Sequence, residues 1–339
     1  MTQSSLFSDI RMIVAKRDLF VPFQGCRFFV TGATGTIGSM LVKTLLAANR
    51  EYSFNMKIVG QVRDLKKAKA VYGSMFSEME FVSSYETACD FIVHTVSPTA
   101  SRFFVEYPVE TIRTSVESTA AVLECARQNN AVMVYLSSME QYGVPYKTGQ
   151  IMTEDKVGII NHLSVRASYA ESKRLCECLC AAYASEYNIK VMIARLAQTF
   201  GSGMNMNDNR MPMQFAKAAV DGRDIILHTA GKSMINFVYL TDAVEGILCI
   251  LSKGTAGEAY NICHDSETHT VREIAELIAH VIMQDMIRVR IEIPEENLGY
   301  APDSTMYLSS EKLTALGWLP QIGLTEAYRR LIRYIQESQ

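Results

Sequence analysis

Short apolar runs alternate with longer amphipathic stretches through the first two-thirds of the chain. The runs at 26–31, 57–62, 80–82, 90–94, 131–136 and 190–195 are short and nearly continuously apolar, as expected of strands covered on both faces. Between them, residues 36–48, 65–72, 108–129 and 166–187 carry apolar positions at helical spacing. Strand and helix in this alternation predict an α/β fold, a doubly wound parallel sheet with its crossovers on both faces. After Phe200 the texture changes. Residues 201–209 are polar and turn-rich, and later apolar runs are short and scattered.

The pattern divides the chain into three parts. Residues 1–24 read as a helical N-terminal extension packed on the main body. Residues 25–199 read as a Rossmann-type domain, with a return segment at 237–263 in which a strand (237–240), a helix (241–251) and a strand (259–263) rejoin the main sheet. Residues 200–236 and 264–339, with helices near 271–283, 310–316 and 325–337, read as a smaller C-terminal substrate-binding lobe. Substrate is then expected in the cleft outside the carboxyl ends of the strands.

Charge and composition narrow the partners. Lys and Arg number 33 against 36 Asp and Glu, a net charge of −3 with no basic tract, which argues against nucleic acid. No apolar run approaches the ~18 residues that cross a bilayer, so no membrane partner is expected. Asp9, Arg11, Lys16, Arg17 and Asp18 interrupt the N-terminal stretch, which therefore lacks a secretory core, and the expected location is cytoplasmic. Eight cysteines show neither disulfide nor metal-ligand spacing. Cys176, Cys178 and Cys180 would splay around a helix, so no metal is expected.

Chemistry enters where the first strand runs into Gly32-Ala33-Thr34-Gly35-Thr36-Ile37-Gly38 and a helix. Glycines there let the backbone turn sharply and approach a pyrophosphate that faces the helix N-terminus. Gly32, Thr34, Gly35, Thr36, Ile37 and Gly38 are the expected cradle of an NAD or NADP cofactor. An acidic residue usually ends the second strand to bind the adenosine ribose. Val62 stands there, with Arg63 next, so the sequence leans to NADP through a 2′-phosphate on Arg63. The alternative is NAD, with Arg63 stacked on adenine or solvated and Asp64 on the ribose. The fourth strand leads into Thr95-Val96-Ser97, where Thr95 and Ser97 would line the cofactor and Ser97 also the substrate. His94 reads as a satisfied core histidine.

Tyr169 and Lys173 lie four apart on a predicted helix and share a face. Lys173, together with an oxidised nicotinamide, should favour the Tyr169 phenolate, letting it take a proton from a substrate hydroxyl while hydride leaves the attached carbon. Lys173 would also bind the nicotinamide ribose. Ser138, at the end of the fifth strand, could share the hydroxyl proton. Glu140 is not required for plain hydride transfer, but beside C5 of an oxidised sugar it could move a proton or orient the ring.

These residues resemble the extended short-chain dehydrogenase/reductase family of NAD-dependent epimerases and dehydratases, over roughly 25–335. Within it, three segments look most like the UDP-glucuronate decarboxylases: the loop from His94 to Ser101, the stretch from Arg166 to Arg174, and the loop from Phe200 to Arg210. The resemblance implies a Ser138, Tyr169 and Lys173 catalytic set and a nucleotide-linked sugar touched by Ser97, Ser138, Glu140, Arg166, Gln198 and Arg210. It also implies a homodimer built on two helices per subunit. Met139 stands where 4,6-dehydratases carry an aspartate, which argues against standard dehydration.

Departures accompany it. Ile235 replaces an arginine that usually holds the substrate diphosphate, and none precedes Pro302-Asp303. Ser115 and Gln198 stand where asparagines are usual. The diphosphate would then rest on other groups such as Arg210 and Lys232, or the substrate is of another kind. The sequence leaves two further functions open. One is an NADPH-dependent reductase of a carbonyl substrate; the other is a catalytically inactive, cofactor-binding regulatory protein.

Overall fold

A computed structural model describes residues 4–98, 101–294, 303 and 305–339. Seven strands form its central sheet: β1 (Arg27–Thr31), β2 (Lys57–Gln61), β3 (Glu80–Val82), β4 (Phe91–His94), β5 (Val132–Ser138), β6 (Val191–Leu196) and β7 (Ala259–Ile262). All pairings are parallel, in the order β7-β6-β5-β4-β1-β2-β3. Strand order reverses between β1 and β4, which opens a crevice at their carboxyl ends.

The pleat explains the two cores. Phe28, Val30, Ile58, Val93 and Val134 point to one face and pack with helices Thr36–Tyr52 and Leu240–Lys253. Phe29, Val59, Ile92, Met133 and Ile193 point to the other, under helices Pro108–Asn129 and Ala167–Tyr187. Each fully buried side chain of this size contributes about 1.5–3 kcal/mol. A third cluster, built on helices Met211–Val220 and Leu324–Glu337 with Phe200, Phe237 and Ile274, forms the core of the C-terminal lobe. The N-terminal extension is helical over Ser5–Val14 and buries Ile10, Ile13 and Val14 in the first core.

Two expectations about the later chain need correction. Phe237–Tyr239 does not rejoin the main sheet; it pairs with Gln198–Phe200 in a separate two-stranded ladder. The chain leaves β6 at Ala197, whose amide still reaches Ile262 O, and Gln198 N then bonds Asn236 O instead. Residues 306–318 also do not belong to the lobe. Tyr307–Leu308 pairs with Ile151–Met152, and Met306, Leu308, Leu313 and Trp318 pack in the first core. Trp318 is fixed there by its indole N–H, which donates to Asp242 O at 3.0 Å. Among the described residues no helix is long and apolar enough to cross a membrane. The residues before the late Pro-Asp, 299–302, lie outside the described residues.

Candidate active site

The glycine turn has the shape a pyrophosphate needs. Gly32 adopts φ +63°, and a Cβ there would stand 2.6 Å from Thr95 Oγ1. A Cβ at Gly38 would stand 2.6 Å from Gly32 O, so the helix enters against the turn with no room for a side chain. Gly35 N bonds Gly32 O at 2.9 Å, and the first bond into the helix is Ser39 N to Gly35 O at 2.8 Å. The amides of Thr36, Ile37 and Gly38 are thereby left without a helical partner, ready for an anion. Thr34, Thr36 and Ile37 are half-buried at this entrance. Tyr72 pins the turn from behind, its hydroxyl donating to Ala33 O.

Thr95 closes the turn from β4, donating to Thr31 O at 2.7 Å. Ser97 Oγ is buried and has no hydrogen-bond partner among the described residues. An unpaired buried hydroxyl beside a turn that excludes side chains fits a bound dinucleotide, whose polar groups would satisfy it. His94 is a core residue, as expected. Thr119 gives its hydroxyl proton to Ser115 O, so it must accept from His94 Nε2–H (3.2 Å), while Nδ1 accepts from Thr31 (2.7 Å). Burial and nearby Lys173 push this imidazole down to about 3, so it stays neutral.

At the ribose end, β2 stops at Gln61, a residue the sequence reading passed over. Its amide oxygen accepts from Gly32 N at 3.4 Å and its NH₂ donates to Ser83 O at 3.3 Å. Val62 is buried, so its side chain is turned away from solvent. Beyond it lies a cavity of about 570 Å³ lined by Arg63, Asp64, Lys66, Phe81 and Ser83. Asp64 is engaged as the cap of helix Leu65–Tyr72, accepting from Lys66 N (2.8 Å) and Lys67 N (3.1 Å). Arg63 is exposed, with no ion pair or hydrogen bond to another described residue.

The candidate catalytic residues Ser138, Tyr169 and Lys173 lie close together. Tyr169 and Lys173 are both buried on helix Ala167–Tyr187, with Lys173 Nζ 5.7 Å from the Tyr169 ring centroid and donating to Leu136 O at 2.7 Å. Ser138, at the end of β5, lies near enough to the Tyr169 phenol to lower it and accepts from Glu140 N at 3.2 Å. Phe104 stacks on Tyr169 with centroids 4.3 Å apart and planes 6° off parallel, and Phe104 O accepts from Ser168 Oγ. No local pattern announces that stack, because the partners come from distant segments.

The protein's own groups work against a Tyr169 phenolate, so the positive charge of an oxidised nicotinamide would have to favour it. Burial raises the Tyr169 phenol, the Glu140 charge raises it further, and Ser138 and Arg210 only partly offset them. Lys173 is itself pushed down from 10.5 to about 8 by burial. That shift costs the folded state roughly 3 kcal/mol at neutral pH. The penalty is full below pH 8 and fades as pH rises toward 10.5, where the unfolded chain also loses the proton. Lys173→Met is therefore expected to abolish turnover yet raise stability at pH 7 by about 1–2 kcal/mol, after losing the bond to Leu136 O. Urea titrations at pH 7 and pH 10.5 check this: a gain at the lower pH that shrinks at the higher is expected, and destabilisation at both contradicts it.

Glu140 keeps 39% of its side chain open, with Arg166 Nη2 3.8 Å from it. Burial by the cleft walls raises its carboxyl, and Arg166 lowers it. Gln198 lies on the ladder beside Phe237, its Oε1 buried and without a partner among the described residues. Arg210 is near enough to act on the Tyr169 phenol, but its guanidinium is forked onto Asp208 (3.0 and 2.8 Å) and reaches Thr199 O. Its charge is therefore largely met before any diphosphate arrives. Lys232 is exposed, and Ile235 is half-buried in the lobe core. Ser115 is buried and turned onto Thr111 O at 2.9 Å. Among the described residues no three His, Cys, Asp or Glu groups are placed to hold a metal.

The family model of the NAD dependent epimerase/dehydratase family matches residues 28–263. UDP-glucuronic acid decarboxylase 6 of Arabidopsis thaliana is 30% identical over 303 residues, spanning 88% of this chain and 86% of that one. UDP-glucuronic acid decarboxylase 1 of Danio rerio is 28% identical over 314 residues, 92% of this chain and 73% of its own. The solved epimerase Mth375 of Methanothermobacter thermautotrophicus has a TM-score of 0.79 at 20% identity, covering 96% of each chain, a likeness of fold. With the glycine turn, the parallel sheet and a match over most of its length, the chain belongs to the NAD dependent epimerase/dehydratase family.

Proposed function

We propose that the protein modifies a nucleotide-linked sugar through transient oxidation at C4, by decarboxylase- or epimerase-type chemistry. One observation carries this: Ser138, Tyr169 and Lys173 meet at the carboxyl end of β5, with Glu140 and Arg166 facing the same cleft. The bound nicotinamide would supply the hydride acceptor and, oxidised, a positive charge. Tyr169 would take the C4 hydroxyl proton, and Ser138 would hold that oxygen in line. Lys173 would orient the nicotinamide ribose. Glu140, with its carboxyl raised by burial, would hold or move a proton near C5 of the oxidised sugar. The names of the relatives support a UDP-linked hexuronic acid as first substrate to try. Incubation with UDP-, CDP- and dTDP-sugars, followed by mass spectrometry, tests this. Loss of CO₂ or an isomerised sugar is expected, and no product from any of them refutes the reading.

For the cofactor we propose NADP, with the 2′-phosphate on Arg63. Gln61 places a neutral amide at the strand end, Asp64 is spent on its helix, and Lys66 adds a second cation to the cavity. Arg63→Ala is expected to weaken NADP binding by about ten- to a hundredfold and leave NAD binding unchanged, measured by fluorescence titration. Arg63 also favours a second reading, a net NADPH-dependent reductase. Stoichiometric consumption of an exchanging cofactor would select it over the redox-neutral cycle.

A homodimer in the cytoplasm completes the proposal. Val109 and Ile112 on helix Pro108–Asn129 and Leu175 on helix Ala167–Tyr187 expose apolar side chains that a second copy would cover.

A further inference from the structure

The N-terminal helix reaches the start of the 201–210 loop through a chain of hydrogen bonds. Asp9, in helix Ser5–Val14, is 1% exposed, a position where a carboxylate persists only if its oxygens are partnered. Oδ1 accepts from Arg330 Nη1 of the C-terminal helix at 2.8 Å, and Oδ2 accepts from the Tyr239 hydroxyl at 2.6 Å. The Tyr239 oxygen accepts in turn from the Ser202 amide at 3.3 Å, with the Ser202 hydroxyl 3.2 Å away. Two segments remote in sequence, those of Asp9 and Ser202, meet on one phenol.

That phenol is the wall on which the 201–210 loop begins. Phe200 pairs in register with Tyr239, and a Cβ at Gly201 would stand 2.9 Å from the Tyr239 ring. The loop ends at Arg210, which returns to Thr199 O and whose charge acts on Tyr169. Two other ties hold the same N-terminal segment without touching the loop. Ser5 N and Oγ donate to Glu337 (2.7 and 2.9 Å), and Lys16 Nζ bonds Glu245 at 2.6 Å. Attachment of the helix alone therefore does not need Asp9 to reach Tyr239.

We infer that Asp9 is a positioning residue for the substrate loop: it orients the Tyr239 hydroxyl, Tyr239 holds Ser202, and the 201–210 segment is set against Tyr169. The inference rests on the reading of the Tyr169 cleft as the substrate site.

The test compares Asp9→Asn and Tyr239→Phe with Glu245→Gln, which loosens the same segment elsewhere. In the first two, KM for the sugar substrate is expected to rise about tenfold with kcat nearly unchanged and nucleotide affinity intact, the loss of one charge-assisted bond. Hydrogen exchange of the 201–210 amides should quicken about tenfold in both, with no further change in the double variant. Glu245→Gln should lower the melting temperature and move neither readout. Equal loop exchange in Asp9→Asn and Glu245→Gln, or an Asp9→Asn variant with wild-type exchange and KM, overturns the inference. The exchange measurement needs no substrate. If the parent protein turns over none of the sugars, the functional reading fails and the exchange result still decides the role of Asp9.

Discussion

Tyr169→Phe is expected to lower kcat by about a hundredfold to ten-thousandfold, the range supplied by a positioned general acid or base. The substitution is specific because the ring keeps its stack on Phe104 at 4.3 Å and only the hydroxyl beside Ser138 is lost. Nucleotide affinity and melting temperature should therefore stay close to those of the parent. The pH profile separates this from a packing effect. In the parent, activity should rise with pH as the phenol, facing an oxidised nicotinamide, ionises, and in the variant that limb should vanish. The checks are initial rates on the sugar that the product screen identifies, with bound nucleotide followed by absorbance. A variant that keeps parental turnover, or one that loses its nucleotide, would remove Tyr169 from the chemistry.

What was legible in the sequence was local. Glycines at 32, 35 and 38 after an apolar strand announce a tight turn, because that turn uses consecutive backbone positions. Tyr169 and Lys173 announce a shared face because helical geometry places residues four apart together. What distant segments contribute was not legible. Phe104 under Tyr169, Tyr72 behind the glycine turn and Asp9 beneath Tyr239 carry no spacing signal toward their partners. The return of 306–318 to the main core depends on Trp318 finding Asp242 O. The raised phenol was missed for a related reason. Spacing shows which charge is near, whereas burial, the largest influence here, is a property of the assembled cleft. Arg210 belongs to the same class, since its availability depends on the fork that Asp208 makes with it.

The largest expected effect on stability lies one residue from Ser138. Ser137, on β5, donates to Glu177, whose carboxylate also receives Arg195 Nε (3.1 Å to each oxygen) and Nη2 (2.7 Å). Arg195 Nη1 donates to Tyr142 Oη and Glu154 O, both at 2.9 Å, and Tyr142 donates to Asn261 Oδ1. Both charges are about nine-tenths buried, so each depends on the other for the solvation it lost. Glu177→Gln keeps the shape and leaves the guanidinium uncompensated, and is expected to cost about 3–5 kcal/mol. Urea unfolding should show a lower midpoint with an unchanged slope. The paired variant Glu177→Leu with Arg195→Met should recover most of that loss, since it removes both buried charges together. A single variant that costs under about 1 kcal/mol, the range of a surface pair, would show that water reaches this network. The network spans β5, β6 and β7 from beneath the Ser138 turn, so a loosened Glu177→Gln protein that still folds should also lose kcat with its nucleotide bound. Removing the two charges together restores stability, but Ser137 then has no acceptor on Glu177. Turnover in the paired variant is therefore expected to recover less than stability does.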